Sequence, residues 1–286
     1  MKKWLLIDLI LLPVIFILFP SLWSIGAFHP WFPPLASKLG GKIDQMVIYT
    51  LIVVVIFMLV GHLFLSWFIV RFGRQKEAET QTLNPKAETL LAVGISLLMA
   101  VSAEGGAMAL ARPVWKKLYI IPPPSHAIQV EITAQQWDWL VRYPGSDGVF
   151  GKTNPKLISF MNPLGIVPSD PAGKDDLVLK DEMVLPVNHP AVIYLRSMDV
   201  IHSLDLPNFR IRQDATPGMT IRIWFTPTKK GTYPIACSQI CGRGHYLMQG
   251  KLKIVSYKNY QEWLQKEEKE VSGRGEKEGQ EGEKSP

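Results

Sequence analysis

Residues 237–248 read Cys237-Ser-Gln-Ile-Cys241-Gly-Arg-Gly-His245-Tyr-Leu-Met248 and hold both cysteines of the chain. Two thiols, an imidazole and a thioether packed this closely are a donor set for a soft metal. Thiolate and thioether sulfur select copper, cuprous copper above all, whereas zinc sites draw on cysteine, histidine and carboxylate. Met248 is therefore the residue that separates copper from zinc. The competing uses of the same stretch are a disulfide, common for cysteine pairs outside the cytoplasm, and a zinc site of two cysteines and two histidines. Met248, together with His245 four residues after Cys241, favours copper over both.

A mononuclear copper site needs one thiolate, and this loop supplies two. Two thiolates can bridge two copper ions, each taking one imidazole, with Met248 and the backbone carbonyl of Gln239 in the weak outer positions. His245 supplies one imidazole. The second has two candidates: His202, in D-V-I-H-S-L-D-L-P where the chain leaves a strand, and His189, in a turn before Pro190. Position favours His202.

Such ligands must be presented by a rigid frame. From Ala127 onward the sequence runs in short alternating segments, IQVEITAQQWDW, DEMVLPVNHPAVIYLRS, MTIRIWFTP, GTYPIACS and GKLKIVSY, separated by Pro, Gly and Asp clusters. That rhythm predicts an all-β sandwich over residues 126–258. In MTIRIWF, the alternation places Met219, Ile221, Ile223 and Phe225 on the buried face and Trp224 on the other. A sandwich with its ligands on a late interstrand loop resembles a cupredoxin, with Greek-key connections. Residues 143–177, rich in PGSDG, NPLG and SDPAGKDD, break the rhythm and read as a long surface excursion.

The first third has a different character. The run Met46–Val70 is apolar on every side and long enough to cross a bilayer, which predicts a transmembrane helix over 43–72. A second run predicts another over 87–115, although Glu104 interrupts it beside Gly105 and Gly106; the small residues suit close helix packing. Residues 1–30, opening with Lys2-Lys3 and then apolar, read as a signal segment or a further transmembrane helix. With three spans, Lys2, Lys3, Arg71, Arg74, Lys76 and Lys86 fall on the cytoplasmic side, and the β domain lies outside. Glu104 and His62 are functional candidates because ionisable groups in membrane spans are rare.

Residues 265–286 mix both charges with glycine and almost no apolar groups, which predicts a disordered charged tail. A net charge of +6 raises nucleic acid as a partner, but the basic residues are dispersed and no aromatic-basic surface accompanies them. No C-x-x-C-H is present, so no haem c is attached to this chain.

Taken together, C-S-Q-I-C-G-R-G-H-Y-L-M, D-V-I-H-S-L-D-L-P followed by R-Q-D-A-T-P-G, and Q-Q-W-D-W resemble subunit II of the haem-copper oxidases (cytochrome c oxidase subunit II). The resemblance runs from the membrane spans to about Trp263. It implies a membrane-anchored subunit with a cupredoxin-like copper domain on the outer face of a bacterial cytoplasmic membrane. It implies a dinuclear copper centre held by His202, Cys237, the carbonyl of Gln239, Cys241, His245 and Met248. It also implies electron acceptance from cytochrome c or a similar donor at Trp137, delivery to haem in subunit I, and reduction of O2 there. On this reading the chain is an electron carrier, and the complex is the enzyme.

The chain departs from the family pattern in two places. Gln239 stands where most members have a glutamate that also reaches a magnesium ion shared with subunit I; a neutral amide is a poorer magnesium ligand, while a carbonyl ligand to copper is unaffected. Glu88 lines up with a glutamate near a proton path of subunit I, but Leu91 and Ile95 replace the Trp and Pro that usually follow, and a carboxylate at a helix start is also favoured by the helix dipole. The alternatives are the equivalent subunit of a related nitric oxide reductase, a copper-delivery or storage module, and the quinol-oxidase variant, which usually lacks these ligands.

Overall fold

A computed structural model describes residues 32–73 and 84–282, together with Val14, with side chains through Glu270. The first apolar segment, apart from Val14, and the loop residues Arg74 and Lys76 lie outside the described residues. The chain divides into two compact units, one of membrane-type helices and one built on β-strands.

The helical unit holds α1 (Gly40–Phe72) and most of α2 (Pro85–Ile120), both long and apolar enough to cross a membrane. Helix α2 starts at a clear signal: Asn84 caps it by accepting from the Lys86 amide at 3.0 Å, Pro85 occupies the first turn, and Glu88 follows there. Around the sequence interruption at Glu104 the helix widens into a π segment, Ala100–Gly105. Tyr49 of α1 donates its hydroxyl to the Ser102 carbonyl in that segment. A π turn leaves carbonyls without their usual partners, and the phenol supplies one.

The β unit comprises ten strands: β1 (Ile128–Gln135), β2 (Asp138–Tyr143), β3 (Leu177–Lys180), β4 (Glu182–Pro186), β5 (Ala191–Ser197), β6 (His202–Leu206), β7 (Ile211–Ala215), β8 (Ile221–Phe225), β9 (Gly231–Cys237) and β10 (Gln249–Val255). They form two five-stranded sheets, ordered β3-β2-β1-β5-β8 and β4-β10-β9-β6-β7. Pairing is antiparallel except between β1 and β5 and between β4 and β10. The chain changes sheets at Asp181, which adopts a left-handed conformation (φ 58°) and ties the corner by accepting from the Trp139 amide at 2.8 Å. Val130, Ile132, Ile193 and Leu195 of one sheet meet Leu204, Leu206, Ile235 and Leu252 of the other in a continuous core. Tyr143 crosses the sandwich, its hydroxyl donating to the Val184 carbonyl and accepting from the Val184 amide. The architecture is the expected membrane-anchored β-sandwich.

Several local expectations change. The alternation in MTIRIWF fails at both ends: Met219 is exposed in the loop before β8, and Trp224 is buried. Trp224 is covered because residues 115–120, the end of α2, belong to the β unit: its indole donates to the Lys117 carbonyl at 2.9 Å, and the Lys117 ammonium lies over its ring. A strand buried on both faces does not alternate. Pro34–Gly41 also belongs to this unit. Ala36 accepts from the Thr228 amide and donates to the Asn208 carbonyl, and Ser37 donates to the Phe209 carbonyl.

The expected disordered tail is instead a helix, α3 (Tyr257–Gly282). Tyr260 is buried and Trp263 packs edge-on against Tyr143, which fixes the helix start on the sandwich. Lys258–Glu262 and Lys266–Glu270 then pair one turn apart. A low apolar content excludes a core but not a helix nucleated by two aromatics. The long excursion is pinned by Arg142, whose guanidinium reaches Glu131, Asp176 and the Gly151 carbonyl and lies beneath Phe150.

Candidate metal centre

Strand β6 begins at His202 and β9 ends at Cys237, and these strands are hydrogen-bonded neighbours with Leu204 opposite Cys237. Sheet pairing therefore brings together two ligands far apart in sequence. The loop from β9 to β10 carries Cys241, His245 and Met248, turning through a short 3-10 segment at His245–Leu247. Its base is held at Ser238, whose amide donates to the Ser203 carbonyl and whose carbonyl accepts from Arg212.

His202, Cys237 and Cys241 offer ligand atoms that all lie within 4.8 Å of one another. The two sulfurs are 3.8 Å apart and both thiols are free. Met248 Sδ stands 3.1 Å from His202 Nδ1 and 3.9 Å from Cys241 Sγ. The Gln239 carbonyl is 3.2 Å from Cys237 Sγ. His245 stands outside the compact trio, its Nδ1 3.6 Å from Cys241 Sγ. All six sequence-predicted ligands thus converge, while His189 does not: its ring stacks on Tyr257 at 4.3 Å and meets the Val187 carbonyl.

Residues that the motif reading passed over hold these groups in place. Asp199 accepts from His202 Nε2 at 2.8 Å and from the Gln136 amide at 2.7 Å. With its Nε2 proton donated to a carboxylate, His202 turns the lone pair of Nδ1 toward the sulfurs. Burial pulls the Asp199 carboxyl upward, but hydrogen bonds from His202, Val200 and Gln136 outweigh it, so it sits below the usual carboxylate range. The β1–β2 hairpin closes on the Cys241 carbonyl, which accepts from Gln136 Nε2 at 2.8 Å and from the Trp137 indole at 3.3 Å. Trp137 itself is at the turn, not within a strand, and is 36% exposed. The loop passes it closely: a Cβ on Gly244 would collide with the indole, and Gly242 takes a backbone angle (φ 118°) unfavourable for other residues. Asp199 and Gln136 lie within the quoted motifs, three residues before His202 and one before Trp137, which is the signal that could have identified them.

Burial, the adjacent Cys237 thiol and the Asp199 carboxylate push the Cys241 thiol up to about 12. Such a pair is poorly suited to carrying negative charge alone, and a soft cation between the sulfurs relieves that penalty. Two thiol sulfurs, two imidazoles, a thioether and a carbonyl fit copper.

Comparison with known proteins agrees with this chemistry. Residues 128–255 match the family model described as cytochrome c oxidase subunit II, periplasmic domain. The alternative cytochrome c oxidase subunit 2 of Bradyrhizobium diazoefficiens is 34% identical over 245 residues, covering 84% of this chain and 85% of the relative. Cytochrome c oxidase subunit 2 of Cereibacter sphaeroides is 28% identical over 253 residues, covering 83% of this chain and 78% of the relative. Among solved structures, the periplasmic domain of subunit II of cytochrome oxidase from Bradyrhizobium japonicum aligns with a TM-score of 0.39 and 27% identity, over 52% of this chain and 99% of that one. The donor set, the membrane helices and a relative matched along most of both chains lead to one assignment: this chain belongs to the cytochrome c oxidase subunit II family, the copper-bearing, membrane-anchored subunit of an oxidoreductase complex.

Proposed function

We propose that this chain is the electron-accepting subunit of a bacterial haem-copper terminal oxidase, holding a dinuclear copper centre on the outer face of the cytoplasmic membrane. The observation that carries the reading is the meeting of two free, closely spaced thiols with His202, Met248, His245 and the Gln239 carbonyl. When bound, the copper pair supplies a one-electron redox centre between cytochrome c, or a similar donor, and the haem of subunit I, where O2 is reduced. Residues 126–258 form the copper domain, and 43–72 and 87–115 cross the bilayer.

The chain's own residues perform distinct tasks in this scheme. Cys237 and Cys241 would hold the copper pair through their thiolates, His202 and His245 would each supply an imidazole, and Met248 and the Gln239 carbonyl would complete the ligand set. Trp137 is where the electron arrives: it is partly exposed, and its indole is one hydrogen bond from the backbone of Cys241. Ile240, Tyr246 and Leu247 are exposed on the same loop and give an apolar rim for partner contact. Gln239 makes magnesium at the subunit I boundary unfavourable. Glu88, in the first turn of α2, is assigned a role near a proton path of subunit I, as the family resemblance implies. The test is metal content and electron paramagnetic resonance of the full chain in detergent. Two copper ions per chain with a delocalised spin are expected, and Cys237→Ser should abolish that signal. One ion per chain, or a delocalised signal retained in the variant, refutes the bridge.

A further inference from the structure

We infer that Glu104 is an anchoring carboxylate, which pairs inside the bilayer with a cationic side chain of the oxidase's large membrane subunit. Between Glu88 and Arg112 it is the only charged residue of α2. It precedes Arg112 by eight residues, which places it roughly 12 Å deeper along the helix. Ionisable groups at such positions face a partner or a water-filled cavity rather than lipid.

The side of the helix occupied by Glu104 is defined by its neighbours. Tyr49 of α1 meets the Ser102 carbonyl, and a Cβ on Gly106 would strike the same phenol, so Ser102 and Gly106 mark the side that α1 covers. The half-buried positions 102, 103, 106, 107, 110 and 111 continue that side. Glu104 lies two residues from both markers, and residues two apart on a helix do not share a side. It is exposed, as are Val101, Gly105, Met108 and Ala109. Among the described residues no hydrogen bond or ion pair reaches it. Arg112 is two turns away, too far to neutralise it. A lone carboxylate on a helix face that no described residue covers is neutralised in lipid by taking a proton or by pairing with a cation, and in the assembled complex a cation on the neighbouring subunit supplies the pairing. Gly105 and Ala109 beside it carry little bulk, which lets a partner helix approach closely.

The inference rests on membership of an oxidase complex, and the experiment separates the two claims. The tagged full-length chain is purified with its complex in detergent, and the dissociation constant for release of subunit II is measured for wild type, Glu104→Gln and Glu104→Asp. Glutamine keeps the shape and removes the charge; release is expected to become roughly tenfold easier, with aspartate recovering part of the loss. In parallel, an apolar carbodiimide that modifies membrane-buried carboxyl groups is expected to label Glu104 in the isolated chain and to leave it protected in the complex. Unchanged release in Glu104→Gln, or equal labelling in the isolated chain and the complex, overturns the pairing. Protection already present in the isolated chain assigns the face to a second copy of this chain and overturns it too. A wild-type chain that recovers no large membrane subunit overturns the partner itself, independently of the variants.

Discussion

Replacing Asp199 by alanine isolates the contribution of the group behind the ligand. The Asp199 carboxylate accepts from His202 Nε2 at 2.8 Å, from the Gln136 amide at 2.7 Å and from the Val200 amide at 2.6 Å. They are not equivalent. Gln136 is exposed, so water replaces Asp199 there at little cost, whereas the His202 side chain is fully buried and its Nε2–H is left without an acceptor. An orphaned buried donor costs about 1–3 kcal/mol, which is the expected loss of domain stability. The effect on metal affinity is separate, because the carboxylate stabilises the imidazole more when Nδ1 donates to a cation than when it is free. Removal of a carboxylate behind a ligating histidine typically weakens binding about 10–100-fold, equivalent to about 1.4–2.7 kcal/mol. Competition of the full chain with a copper chelator measures the affinity, and thermal denaturation of the copper-free chain measures the stability. Asp199→Asn retains an acceptor oxygen and should recover most of the stability but not all of the affinity. If Asp199→Ala holds copper as tightly as wild type, the carboxylate does not set the ligand, and the argument for His202 orientation fails.

Trp137→Phe keeps the aromatic contact with Gly244 but deletes the indole donor to Cys241; copper content should be intact and electron uptake from reduced donor slower in stopped-flow traces. Gln239→Glu should leave copper occupancy unchanged, because the atom facing Cys237 is a main-chain carbonyl; loss of copper measured by elemental analysis would remove that ligand from the set. Arg142→Met strands Asp176, whose side chain is fully buried, and should destabilise the domain by about 3–5 kcal/mol in denaturant titration. The paired change Arg142→Met with Asp176→Leu should restore part of that loss, since it removes the stranded carboxylate while Glu131 keeps Arg196 as its partner.

The apolar helices and the grouping of candidate metal ligands were legible in the sequence for the same reason: each depends on residue type within a short window. Long apolar runs specify spans whatever packs beside them, and Cys237, Cys241, His245 and Met248 meet on one loop with little help from the rest of the fold. Trp224 was misread because its cover, residues 115–120, arrives from the far end of a membrane helix. The residues after 265 were misread because their helix is nucleated by Tyr260 and Trp263 against Tyr143, a contact invisible in the local composition.

His202 shows where local information stops. Its candidacy came from its place at the end of a predicted strand, but its preference over His189 becomes physical only when β6 pairs with β9 and sets it beside Cys237. The same pairing cannot be read from either strand alone, since many registers satisfy an alternating pattern. Amino-acid type determined which atoms could hold the metal, because sulfur and imidazole carry their preferences with them. Tertiary structure decided which of those atoms face one another and which carboxylate and indole stand behind them, because distance and burial belong to the folded chain as a whole.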